Sequence, residues 1–114
     1  MGVAIKDILT QAKNLIENPN NWTTGNFARN GVGQAVAVGD KTACKFCAIG
    51  AVRQAVFNNV RPAFGGRAAL IASDATNILD KTSKSYGCES AINLNDWCRH
   101  ETVIEMFDKA IASC

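Results

Sequence analysis

The segment "KTACKFCAIGAVRQAVFNN", residues 41–59, is apolar almost all the way round a helix, with Arg53 as its only charge after Lys45. A helix without a polar face must be enclosed on every side, so this one is expected at the buried centre of a small domain. Gly50 and Ala51 fall in its middle. A glycine there costs about 1 kcal/mol against alanine, and its expected compensation is the close approach of another backbone.

The remaining elements must cover that centre. Ile5, Ile8, Leu9, Ala12, Leu15 and Ile16 recur at three- and four-residue spacing, with Lys6, Asp7, Lys13, Asn14 and Glu17 on the opposite side, and predict a first helix. It ends at "NPNN", where Pro19 disfavours helical geometry at Asn18. Pro62 suits the first turn of a further helix through "AFGGRAALIASDATNILDKTSK", with Ala68, Ile71, Ala75, Ile78 and Leu79 on one face and Gly65-Gly66 leaving its start open. After a polar loop, "SKSYGCESAINLN", a last helix shows the stripe Val103, Ile104, Phe107, Ala110 and Ile111.

Between the first two helices, "WTTGNFARNGVGQAVAVGD" is rich in glycine, and Asn30-Gly31 is a primed-turn signal. A hairpin pairing about 26–29 with about 34–38 is expected, lying against helices because two strands alone are marginal. Aromatic residues are only 7% of the chain, so Ala, Val, Ile and Leu must fill the interior, which favours packed helices over a β-sandwich. A chain of 114 residues is one domain, 1–114. The expected fold class is mainly α: a compact four-helix single domain with a small β-hairpin between helices 1 and 2.

Charge and targeting signals narrow the function. The net charge is +2 and the twelve Lys and Arg are scattered, so nucleic-acid binding is not supported. Lys6, Asp7 and Lys13 interrupt any signal-peptide apolar region, Lys6 stands where myristoylation wants Ser or Thr, and no apolar run reaches bilayer length. The reading is a cytoplasmic protein with no membrane contact. Its five cysteines are then expected as thiols or metal ligands rather than a disulfide framework.

Candidate site residues cluster in "LNDWCRHETVIEMF". Asp96 is expected as the N-cap of the last helix, and His100, the single histidine, sits four residues later at the edge of the buried stripe. The favoured reading is a capping aspartate and a half-buried histidine bonding a backbone carbonyl; a working Asp-His pair is the other. A catalytic version makes Cys47 the nucleophile, His100 the base and Asp96 or Asn95 its orienting group. Against it, Cys47 lies in an apolar segment, where cysteine is ordinarily a small core residue.

Cys44 and Cys47 form a C-x-x-C, and with Cys88, Cys98 or His100 the ligand count suffices for zinc. The spacing is poor, and the C-x-x-C reads as helix rather than knuckle. A thioredoxin-like pair lacks its preceding strand. No metal and no cofactor are expected. Trp22 and Trp97 each suit a core edge, yet Trp22 beside a glycine-rich segment, with Asn95, Asp96 and His100, is also how a small ligand pocket is built.

Three motifs then line up: "WTTGNFARNGVG", "ACKFCAIGAV" and "LNDWCRHETVIEMFDKAI". Together they resemble an uncharacterised family of small phage, prophage and bacterial proteins, patterned as Trp-x-x-Gly-x-x-Ala with a following glycine, Phe-Cys-x-x-Gly-Ala, and Trp-Asn-Asp before a short His-containing helix ending in Ala. The matching residues are Trp22, Gly25, Ala28 and Gly31; Phe46, Cys47, Gly50 and Ala51; and Asn95, Asp96, His100, Val103 and Ala110. Leu94 departs from the pattern where the family has tryptophan, so a stacking role would fall to Trp97 or be altered here. Cys44, Cys88, Cys98 and Cys114 fall outside the pattern, which counts further against zinc and redox readings. The resemblance implies a compact, mainly helical fold and a phage or mobile-element setting, with no known reaction. The leading expectation is a small phage- or prophage-type binding protein that sequesters or blocks a host protein or a nucleotide-like small molecule, using Trp22, Asn95, Asp96 and His100. The alternatives are a cysteine hydrolase or transferase using Cys47, His100 and Asp96, and a homo-oligomeric accessory protein.

Overall fold

The first helix of the computed structural model, which describes residues 4–60 and 66–114, is α1 (Ile5–Ile16), and its apolar stripe buries Ile8, Leu9, Ala12 and Ile16. Enclosing an Ile or Leu side chain stabilises by roughly 1.5–3 kcal/mol each. That face packs on α2 (Ala48–Asn59) and α5 (His100–Ala112), and the Lys13 ammonium reaches Asp108 of α5 at 2.6 Å. The aspartate holds the Lys13 ammonium above its ordinary pKa, chiefly through that hydrogen bond. Pro19 opens a 3-10 turn (Pro19–Asn21), whose start is capped by Asn18 Oδ1 accepting from the Asn20 N–H.

The central segment begins later than its hydrophobicity predicts. Lys45–Phe46 is a strand, β2, Cys47 is an N-cap in extended conformation, and the helix starts at Ala48. The reason lies in tertiary pairing: β2 runs antiparallel to β1 (Ala28–Arg29), with Ala28 opposite Phe46 and Arg29 opposite Lys45. Ladder bonds fix 45–46 as extended chain despite their helical pattern. The expected hairpin of 26–29 with 34–38 is therefore corrected. An isolated Arg29–Ala35 bridge and two backbone bonds, Val36 N–H to the Ala28 carbonyl and Asn30 N–H to the Gln34 carbonyl, survive of it. A turn does form here, closed by the Gly33 N–H on the Asn30 carbonyl, but it is not the primed turn expected, since neither Asn30 nor Gly31 takes a positive φ; Asn30 Oδ1 accepts from the N–H groups of Val32 and Gln34.

Gly50 shows why α2 tolerates a glycine. A Cβ at this position would overlap the carbonyl oxygen of Phe27 and lie 2.7 Å from its carbon, so the strand entering β1 is pressed onto the first turn of α2. The helix buries Ile49, Ala51, Val52, Ala55 and Val56, but it is not enclosed all round: Arg53 and Phe57 are exposed along one edge.

Among the described residues there are five α-helices rather than four. The Pro62 start expected for the next helix lies outside the described residues; α3 (Arg67–Ser83) follows Gly66 and buries Ala75 and Leu79. What read as a polar loop contains α4 (Ala91–Trp97), with Ala91, Leu94 and Asn95 buried at helical spacing. Its start is well specified, because Ser90 Oγ accepts from the Asn93 N–H at 3.1 Å and Asp80 Oδ1 of α3 accepts from the Ala91 N–H at 2.8 Å. The chain breaks at Cys98-Arg99 before α5, so Asp96 sits in the last turn of α4 and is not the N-cap of the final helix. That place belongs to Arg99, whose side chain makes no capping bond.

Candidate functional site

The three sequence motifs meet at the N-terminal turn of α2. A helix start leaves its first N–H groups without partners in the helix, and here each motif supplies something to satisfy them. The Phe27 carbonyl accepts from the Cys47 N–H at 3.3 Å. Cys47 Sγ accepts from the Gly50 N–H at 3.3 Å, an N-cap role that cysteine seldom takes. Asn95, from α4, brings its Oδ1 to 2.9 Å from the Ala48 N–H.

Asn95 is the hub of the arrangement and is 0% exposed. The same Oδ1 accepts from the Trp22 indole Nε1–H at 2.7 Å, while Nδ2 donates to the Thr23 carbonyl at 3.1 Å and to Asp96 Oδ1 at 3.3 Å. All the hydrogen-bonding capacity of this amide is used inside the fold. Trp22 in turn lies against His100, ring centroids 5.5 Å apart and tilted by 59°, within the favourable range for aromatic pairs. His100 Nε2 stands 2.6 Å from the Ile16 carbonyl oxygen. A carbonyl only accepts, so Nε2 carries the proton and serves as a donor here.

Trp22, Asn95, Asp96 and His100 thus converge, but the first two and His100 turn their polar atoms inward. Asp96 differs. It is exposed, and its Oδ1 accepts from the Gly25 N–H at 3.2 Å, where Gly25 holds a φ of +80° that favours glycine. Asp96 Oδ2 makes no hydrogen bond among the described residues. This carboxylate, Cys47, Gly25, Phe27 and Ile92 line a cavity of about 210 Å³, and His100 is not part of its lining. Gly25, Phe27 and Ile92 were not among the residues expected from sequence. The Trp-x-x-Gly spacing points to Gly25; Ile92 was hidden in what read as a loop.

Cys47 is 4% exposed, and burial pushes its thiol above the ordinary value, with the nearby Asp96 charge adding to the rise and the Gly50 and Ile49 N–H groups opposing it. A raised pKa in the folded state means that Cys47 contributes full stability below the unfolded thiol value of about 8.5. That contribution is lost as pH rises through the higher folded value. At neutral pH, iodoacetamide is expected to label exposed Cys44 and Cys114 first and Cys47 at least tenfold more slowly, the order set by access and thiolate fraction. Peptide mapping of the alkylated protein checks this; Cys47 labelled first would identify an activated nucleophile.

The other cysteines do not gather around it. Cys44 is exposed, and Cys88 neighbours Cys98, with burial first and the second thiol next in raising its pKa. Among the described residues, no group of three or more His, Cys, Asp or Glu side chains is placed to hold a metal ion. No described helix is long and apolar enough to cross a membrane.

Residues 1–113 match the model of a protein family described as "Family of unknown function (DUF6197)". No curated protein matches the chain, and no solved structure does.

Proposed function

Because the chain belongs to DUF6197, a family of unknown function, no activity is inherited from relatives, and we propose from the site itself that it is a small binding protein. In this reading Asp96 is the group that meets the ligand, and Trp22, Asn95 and His100 hold the cavity in shape. The single observation that supports it most is the unpartnered Asp96 Oδ2 beside a cavity of about 210 Å³ walled by the apolar side chains of Phe27 and Ile92. A carboxylate accepts only, so the complementary group is an N–H donor edge, and the apolar walls suit a flat ring. A nucleobase-like small molecule combines both. The volume lies below the 300–1,000 Å³ range of sites that enclose a drug-sized ligand, so a ring and not a whole nucleotide would be enclosed. Sequestration of such a molecule, in the phage or prophage setting that the sequence motifs suggest, is the proposed role. A blocked host protein that inserts a comparable donor group is the variant of it.

The site supports this reading better than a cysteine hydrolase or transferase, because the Cys47 thiol is buried with its pKa raised and His100 does not line the cavity beside it. Native mass spectrometry of protein purified from its natural host, set against the denatured mass, tests it. The expected result is a retained small-molecule adduct that Asp96→Asn lowers at least tenfold in occupancy with an unchanged melting temperature, as loss of a charged acceptor implies. An adduct indifferent to Asp96→Asn, or a bare chain with no Asp96-dependent protein partner, would overturn it.

A further inference from the structure

Ile92 also lines a larger cavity, about 590 Å³, whose walls include none of Trp22, Asn95, Asp96 or His100. It lies between α2 and α3. From α2 come Ile49 and Val56, with Val60 just past its end, and from α3 come Ala68, Ala72 and Thr76. The hollow has a simple origin in the sequence: α3 carries small side chains along the face it turns to the branched aliphatics of α2, where leucines would fill the space. The size falls within the range of sites that bury a small molecule.

Among the described residues lining this groove, Arg53 alone is charged. Its guanidinium is held 4.3 Å from the centroid of the Phe27 ring, a cation–π contact that fixes its direction. No carboxylate among the described residues pairs with it. An apolar trough with one positioned cation is complementary to a molecule with an apolar body and a single anionic head, and a guanidinium fork suits a carboxylate in particular.

We propose that the groove between α2 and α3 binds an amphipathic monocarboxylate, its apolar chain against Ile49, Val56 and Ala72 and its carboxylate on Arg53. This site shares the Ile92 wall with the Asp96 cavity but none of its polar groups. The test uses decanoate, below its micelle concentration, and decanol, its uncharged counterpart of equal chain length. Calorimetry reads the affinity and methyl NMR shifts of Ile49, Val56 and Val60 read the place. Decanoate is expected to bind and to shift those methyls, and decanol to bind about tenfold or more weakly. Arg53→Gln should bring decanoate to the level of decanol, since a hydrogen bond to a charged group is worth at least that factor. Ala72→Leu should abolish binding of both by filling the trough; Thr76→Leu, on the same wall, serves if the first variant does not fold. Decanoate binding unchanged by Arg53→Gln or by either filling variant would overturn the proposal, as would shifts confined to methyls outside the groove. A concentration-dependent dimer that the filling variants dissolve would also overturn it, because a second copy would then occupy the groove.

Discussion

Gly50→Ala is expected to lower the urea midpoint sharply, removing about 3 kcal/mol or more of stability, or to prevent folding. In an ordinary helix the same change stabilises by about 1 kcal/mol. Here the new methyl would occupy the position of the Phe27 carbonyl oxygen. The strand cannot step aside freely. Phe27's carbonyl also accepts from the Cys47 N–H at 3.3 Å, and the next residue, Ala28, is fully buried and paired with Phe46. Moving the strand therefore breaks a cap of α2, the β1–β2 ladder and core packing together. Overpacking alone costs about 1–3 kcal/mol, and more when backbone must shift. Urea unfolding of wild type and variant measures it; a Gly50→Ala protein as stable as wild type would mean that the strand does not rest on α2.

The second large effect is expected at Asn95. Asn95→Leu keeps the branched shape, though with bulkier methyl ends, but leaves the Ala48 N–H, the Trp22 indole N–H and the Thr23 carbonyl without their partner. An unsatisfied buried group costs about 1–3 kcal/mol. Water can reach Trp22 and Thr23 in part, because both are only half-buried, so the total is about 2–5 kcal/mol. Thermal unfolding followed by circular dichroism gives the loss. The Trp22–His100 packing supplies a second reading, since release of the indole should change its fluorescence. A variant with wild-type melting temperature and unchanged fluorescence would show that the amide is not the hub of the site.

How much of this was legible in the sequence differs from one element to the next. The α1 and α5 stripes are read correctly because each runs over several turns with one face buried, and periodicity is then the dominant signal. The close backbone approach at Gly50 also follows from the sequence, since a mid-helix glycine needs a reason. The partner of β1 does not. Asn30-Gly31 predicts a local hairpin, whereas the ladder is closed by Lys45–Phe46, whose pattern continues that of α2. The seven-residue α4 is missed because one of its three buried residues is Asn95, polar and indistinguishable in sequence from a loop asparagine. Asp96 beside a helical stripe resembles an N-cap, and the break at Cys98-Arg99 carries neither Gly nor Pro to reveal it. For His100 the expected bond to a backbone carbonyl is found, on Ile16. What no local pattern carries is the distance involved: Trp22 and Asn95 are separated by 73 positions.

That separation bears on how the chain assembles itself. The first turn of α2 draws its acceptors from Phe27, upstream of it, and from Asn95, which lies 47 positions beyond Ala48. As the polypeptide leaves the ribosome, α1 and α2 can meet early, yet the amides at the head of α2 must wait in water until α4 has been synthesised and has docked. Contacts so remote in sequence form late, because the loop entropy must be met before they reward it. The cavity at Asp96 is thus completed in the same event that closes the protein, and no shortened chain lacking α4 can present it.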